Sequence, residues 1–212
     1  MHNYGNRIEV LERDSSDSLT NLISATFMNS RDFDVLRTDY FRDHFGPNRH
    51  VLGVWEKDIL VSTMRADVVY DPEFFQGGKR RVALTAKYPA LYLCRGATAP
   101  ERQFAGLNSL LRYYCIESAL QVGLKSILGH VFKSAARTSL MRSLGYEMTE
   151  TGETADSNWR HKTPAMFAIL DLDKRGIDAL SMLRESCQDS IGVFPWNGIS
   201  LGTSIRGCLV NA

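Results

Sequence analysis

The residues best suited to chemistry fall between positions 91 and 146. Cys94 and Arg95 lie in a short apolar run, and Thr98-Ala99-Pro100-Glu101-Arg102-Gln103-Phe104-Ala105-Gly106-Leu107-Asn108 leads from it into a segment of helical periodicity. A strand that breaks into a loop holding Gly106 and then starts a helix turns several backbone N–H groups and the positive end of the helix dipole toward one point. That arrangement binds anions. The N–H groups from Gln103 through Phe104, Ala105, Gly106 and Leu107 to Asn108 are therefore expected to hold the phosphates of a coenzyme, with Arg102 either adding a charged contact or facing solvent. Arg65 and Arg95 also sit inside apolar runs, where an unpaired guanidinium is costly to bury. Each must either meet a carboxylate of the protein or face a cleft and hold an acidic or carbonyl group of a substrate. Cys94 could be a nucleophile with its pKa lowered by Arg95, but strand neighbours point to opposite faces. His130, in a later apolar run, could act as a base near pH 7 or merely pack.

The elements that must position these groups follow from periodicity and punctuation. Residues 7–11 read as a strand, and residues 14–17 offer caps for a helix carrying Leu19, Leu22, Ile23 and Phe27 on one face. A second helix is predicted over 33–45, stopped by Gly46-Pro47. Strands at 50–55 and 59–69 should form an antiparallel hairpin through Glu56-Lys57-Asp58. Residues 71–90 read as a loop with one strand over 82–85, in which Lys79-Arg80-Arg81 is either a solvated stretch or a docking patch. A strand over 91–98, a helix from 107 that Gly123 stops, a strand over 126–132 and a helix capped by Ser134 and closed by Gly145 come next. A polar segment over 150–161, a strand over 166–171 and a last helix over 176–186 complete the pattern.

The chain has 212 residues, 44% of them apolar, which is enough for one good core. A single domain over residues 1–188 is expected, with 189–212 an irregular segment packed on it or a disordered tail. With 25 basic and 24 acidic residues the net charge is +1, so the positive imbalance of a duplex nucleic-acid binder is absent. No apolar run reaches the roughly 18–20 residues that span a bilayer, and residues 1–5 carry no signal core, so a cytoplasmic location is the expectation. Cys94, Cys115, Cys187 and Cys208 show neither a Cys-x-x-Cys pair nor metal-ligand spacing with the five histidines. Reduced thiols and no metal site are expected.

The order of elements resembles the GNAT acyltransferase fold. The loop Pro100 to Asn108 is similar to that superfamily's coenzyme loop, which runs Arg or Gln, x, x, Gly, x, Gly or Ala; Gln103 and Gly106 match, and Asn108 replaces the last small residue. Ser62-Thr63-Met64-Arg65-Ala66 is similar to a Gly-x-x-Arg-Leu pattern, and Tyr92-Leu93-Cys94-Arg95-Gly96-Ala97-Thr98 to a Glu-x-Ser-Arg-x-x-Val pattern. Both patterns belong to the acyl-homoserine-lactone synthases and related bacterial N-acyl amino acid synthases. Arg137, Arg142-Ser143-Leu144-Gly145-Tyr146 and Gly152 extend the likeness. Tyr92 and Cys94 depart from the branch's Glu and Ser, and Met141 stands where ordinary acetyltransferases place a tyrosine acid.

The resemblance implies an α+β (mixed α/β) fold with a central, mostly antiparallel twisted sheet flanked by helices. It implies transfer of an acyl group from acyl-CoA or an acyl-phosphopantetheine carrier protein, bound as cosubstrate rather than permanently, to the amine of a small acceptor such as an amino acid. Arg95, with Cys94 and His130, is then the catalytic candidate. Ala97, Thr98 and residues 102–108 would hold the donor, and Arg65 and Tyr92 the acceptor. A carrier protein is acidic, so Lys79, Arg80 and Arg81, or Arg137 and Arg142, are docking candidates. An acetyl-CoA-dependent enzyme and a catalytically silent binding module are the competing expectations.

Overall fold

The apolar and β-branched residues between Arg49 and Val69 form a long hairpin in one half of the sheet. They make the antiparallel pair β2 (Arg49–Glu56) and β3 (Ile59–Val69), turning at Lys57-Asp58, where Lys57 takes φ 56°. The computed structural model describes residues 5–27, 44–133, 137–154 and 164–210. Flanking strands are β1 (Arg7–Leu11), β4 (Ala90–Thr98), β5 (Ser126–Phe132), β6 (Glu147–Thr154) and β7 (Pro164–Asp171). Among the described residues they form one seven-stranded sheet in the order β1-β2-β3-β4-β5-β7-β6, and only β4 and β5 run parallel. A parallel pair needs a crossover, and α3 (Leu107–Gln121) supplies it.

Strand alternation sorts the side chains onto two unlike faces. On one, Leu110, Leu111, Cys115, Ile116 and Ala119 of α3 bury against Met64, Ala66, Val68, Leu91, Leu93 and Ile127 in a continuous apolar layer. The other face carries two separate apolar patches. Leu19, Leu22 and Ile23 of α1 (Ser16–Phe27) cover Val51, Trp55, Leu60 and Ala97. Val82 and Ala83 of α2 (Gly77–Ala83) pack with Val69, Phe75, Ala90, Leu128 and Phe167. At roughly 1.5–3 kcal/mol for each fully buried large apolar side chain, these layers fix the strands. Between the two patches lies a polar belt containing Arg65, Asp67 and Cys94.

Several expectations need correcting. Residues 82–85 are not a strand: α2 carries the basic triplet, because burying Val82 and Ala83 outweighs the loop signal of Gly77-Gly78. The polar segment from 150 is in part the edge strand β6, whose exposed Glu147 and Glu150 suit an edge. Helix α5 (Leu172–Ser186) starts earlier than 176, since the Asp171 carboxylate accepts the N–H groups of Asp173 and Lys174. Over the described residues the segment after 188 is packed on the domain, and it is helical in part rather than irregular throughout. It contains α6 (Gln188–Val193) and α7 (Leu201–Val210), and between them Ile8 donates its N–H to Pro195 O (2.9 Å) while Asn197 donates to Ile8 O (2.7 Å). Leu201 and Ile205 of α7 join the α3 core. The expected helix over 33–45, save its last two residues, the Ser134 cap and the polar run over 155–161 lie outside the described residues.

Candidate active site

Beyond Leu93, paired with Gly129, the ladder between β4 and β5 stops. Residues 94–98 of β4 thus border a gap, with His130, the residue after Gly129, across its mouth and half-buried. On its other side β4 is bulged. Arg65 pairs with Cys94 and Thr63 with Ala97, so Met64 alone opposes Arg95 and Gly96. Arg95 takes φ 50°, a conformation a non-glycine residue adopts only when its surroundings impose it. Gly96 lies close to two polar side chains: a Cβ there would stand 3.0 Å from Asn108 Nδ2, which would have to shift, and 4.0 Å from an Arg137 guanidinium nitrogen.

Those two contacts bring the start of α3 and Arg137 to the gap. Gly106 caps α3 with φ 75°, and the first intrahelical bond runs from Leu110 N–H to Gly106 O (2.9 Å). The N–H groups of Leu107, Asn108 and Ser109 are therefore left without intrahelical acceptors at the helix start, and the Asn108 side chain lies at Gly96, to which Arg137 on α4 (Arg137–Ser143) also comes near. Each proposed loop residue has a definite place. Gln103, Phe104 and Ala105 are exposed, Phe104 completely and with φ 69°. The Leu107 side chain is buried in the α3 core, so only its backbone can serve a ligand. Arg102 is paired with Glu56 of the hairpin. Ala97 packs under α1, and the Thr98 hydroxyl meets Ser62 Oγ at 2.9 Å.

Cross-strand register arranges the polar belt in rows. Arg49, Asp67 and Tyr92 lie side by side on β2, β3 and β4, and Val51, Arg65 and Cys94 form the next row. Arg65 is buried and donates from Nη2 to Asp67 Oδ2 at 2.8 Å. Arg65 thus has the internal carboxylate partner that burial of a guanidinium calls for. Asp67 was not singled out from sequence; an acidic residue two positions from a strand arginine, hence on the same face, was the available signal. Burial raises the Asp67 pKa, although Arg65, Arg49 and Arg95 pull against it. The Cys94 thiol is pushed up to about 12 by burial and by Asp67, against the pull of Arg65 and Arg95. A thiol so held is protonated at neutral pH, and the arrangement speaks against a thiolate nucleophile. Tyr92 packs edge-on against Phe74 and Phe75, with centroids at 6.0 and 5.1 Å, as part of an aromatic wall. Met141 is buried, its Cε 3.2 Å from where a Cβ on Gly129 would lie, and so lies in the core.

In the docking candidates Arg80 pairs with Glu73, and Arg81 donates to Thr151 O at 3.5 Å. Among the described residues no cluster of His, Cys, Asp and Glu could hold a metal, and no helix is long and apolar enough to cross a membrane.

No family model matches this sequence, and no curated protein does. Solved structures do. BjaI, a CoA-dependent acyl-homoserine lactone synthase whose structure contains MTA, superposes with a TM-score of 0.67 at 18% identity, covering 97% of this chain and 100% of its own. FeeM, an N-acyl amino acid synthase from uncultured soil microbes, gives 0.59 at 13% identity over 80% of this chain and 94% of its own. The ribosomal-protein-S18-alanine N-acetyltransferase of Escherichia coli gives 0.57 at 16% identity over 78% and 93%. With its bulged β4, its splay from β5 and its helix start at the gap, this chain has the GNAT acyltransferase fold.

Proposed function

We propose that this protein is an N-acyltransferase that moves an acyl group from a CoA or carrier-protein thioester to the amine of a small acceptor such as an amino acid. The observation that carries the reading is the gap beside the Arg95-Gly96 bulge, with the N-terminus of α3 aimed at it. The donor's pantetheine lies along residues 94–98 of β4, and its phosphates rest on the N–H groups at the start of α3 with Asn108 and Arg137 beside them. Backbone N–H groups at the bulge polarise the thioester carbonyl. Because a thiolate leaves readily, positioning and that oxyanion contact supply most of the acceleration. An acyl-CoA donor is supported by BjaI, whose structure was solved with SAM and isopentyl-CoA. An amino-acid acceptor is supported by FeeM, which is described as an N-acyl amino acid synthase. The core position of Met141 removes the tyrosine acid of the ordinary acetyltransferase and favours the synthase-like reading.

The test is release of free thiol from isopentyl-CoA, acetyl-CoA and an acylated carrier protein, with and without each of the twenty amino acids. Release that depends on the amine is expected, together with stabilisation by the preferred donor. A donor at about a hundred times its Kd adds about 2.7 kcal/mol, or about 5–10 °C in melting temperature for a chain of this size. No thiol release and no shift with any donor would overturn the reading.

A further inference from the structure

Asp67 is 1% exposed, and only half of its carboxylate is used. Oδ2 accepts from Arg65, whereas Oδ1 is buried and has no hydrogen-bond partner among the described residues. A buried polar atom without a partner is costly, more so when charged, so Oδ1 calls for a donor that the described residues do not supply. Asp67 also lines a cavity of about 550 Å³, within the range that holds small molecules. Arg13, Arg49 and Asp71 share that wall, and Phe45, Tyr70 and Phe74 give it an apolar side. Successive same-face rows of a strand are about 7 Å apart. Asp67 lies one such row from Arg65 and Cys94, and the bulge at Arg95-Gly96 follows directly.

We propose that this cavity receives the acceptor as a zwitterionic amino acid, its ammonium on Asp67 Oδ1 and its carboxylate toward Arg49, and that Asp67 is the base that frees the amine. This rests on the acyltransferase reading above. The ammonium gives one proton to Oδ1. The amine lone pair then forms the N–C bond at the thioester carbonyl, the C–S bond breaks, and the second proton of the attacking nitrogen passes through water to the departing thiolate, leaving the neutral amide and the free thiol. Asp67 returns its proton to solvent as the amide departs. Ammonium is the donor that suits this site, because a charge-assisted hydrogen bond completes the carboxylate that Arg65 only half satisfies. Phe45, Tyr70 and Phe74 favour an apolar side chain on the acceptor.

The experiment compares wild type, Asp67→Asn and the double variant Asp67→Asn/Tyr92→Glu, which returns a carboxylate to the adjacent position of the same row. Thiol release is read from isopentyl-CoA with the twenty amino acids as acceptors. Asp67→Asn should lower kcat/KM by about 10²–10⁴, the usual worth of a positioned base, and remove the acid limb of the pH profile. It should leave the melting shift with isopentyl-CoA unchanged, and the double variant should regain part of the rate. An active wild type whose Asp67→Asn form stays within about threefold with the same pH profile would overturn the inference and leave the acyltransferase reading intact. A wild type that releases no thiol with any amine overturns that reading first. Should the variant fail to fold, calorimetry on the wild type decides. The best amino-acid acceptor must bind at least about 100-fold tighter than the matching 2-hydroxy acid, and equal binding overturns the role of Asp67.

Discussion

Adjacent residues of β2 lead into two buried polar clusters that differ in one respect. Arg49 stands in the row with Asp67, and His50 faces α7. Around His50 the valences are filled: Nδ1 lies 3.0 Å from Ser204 Oγ, Nε2 lies 3.6 Å from Cys208 Sγ, and Cys208 Sγ donates to Pro47 O at 3.1 Å. Around Asp67 one buried oxygen is left open. The cavity beside His50 is the larger, about 1040 Å³ against about 550 Å³, yet size does not decide which cluster binds a ligand. A satisfied network rigidifies the fold, and an incomplete one is set for a partner. The His50 cluster therefore reads as the fastening of the C-terminal helix, which Tyr70 reinforces by donating to Cys208 O at 3.0 Å. The Asp67 row reads as the site.

The sharpest way to break this contrast is to remove the cation that makes the Asp67 row tolerable. Arg65→Met strands a carboxylate in a nearly dry position and should cost about 3–5 kcal/mol in denaturant unfolding. Replacing both partners, as Arg65→Met/Asp67→Leu, should restore most of that stability, because two matched apolar side chains need no desolvation of charge. The double variant should fold and be inactive. An active double variant would show that the row is only structural.

The His50 cluster should answer in stability and not in rate. Burial lowers the His50 pKa to about 4 from 6.5. Between those values the unfolded chain binds a proton that the folded chain refuses, so stability is full above about pH 6.5 and falls as the pH drops toward 4. The loss is about 3 kcal/mol. The groups around the ring are Ser204, Cys208, Tyr70, Arg49, Glu9 and Glu12. His50→Gln should flatten the acid slope in denaturation midpoints measured from pH 7.5 to 4, with thiol release at pH 7.5 unchanged. A slope equal to that of wild type would assign the acid lability to the carboxylates instead.

The same contrast explains what could be read from sequence. The hairpin, β4, α3 and β5 were legible because each is long, periodic and bounded by strong punctuation, and the loop before α3 showed its N–H groups through Gly106 alone. Short or polar elements were not. Helix α2 exists because Val82 and Ala83 find Phe75 and Phe167, and β6 exists because β7 offers an edge; neither fact is local. The arginines announced that something had to neutralise them, which is a rule of burial. Which carboxylate did so depended on register between β2, β3 and β4, and a register is invisible until strands are paired. Hence Arg65, Arg95 and Cys94 were found, and Asp67, which completes them, was not.

Cys94 gives the smallest expected effect and the finest test. It lies beside Arg65 and one residue from the bulge, where an acyl-enzyme cysteine would be well placed. Nucleophilicity requires a thiolate, however, and a thiol held at about 12 is ionised in only about one molecule in 10⁴–10⁵ at pH 7.5. Two arginines nearby do not rescue it, because Asp67 and burial together oppose them. Cys94→Ser keeps the shape and the hydrogen-bonding capacity of the side chain, so kcat/KM should stay within about threefold of wild type, less than about 0.7 kcal/mol in the barrier. Iodoacetamide at pH 7.5 should leave Cys94 unlabelled in the folded protein, as peptide mapping will read. A loss beyond about a thousandfold in Cys94→Ser, with an acylated Cys94 trapped by rapid quench, would move the reaction from direct attack by the amine to a two-step transfer. Asp67 would then act on the second step alone.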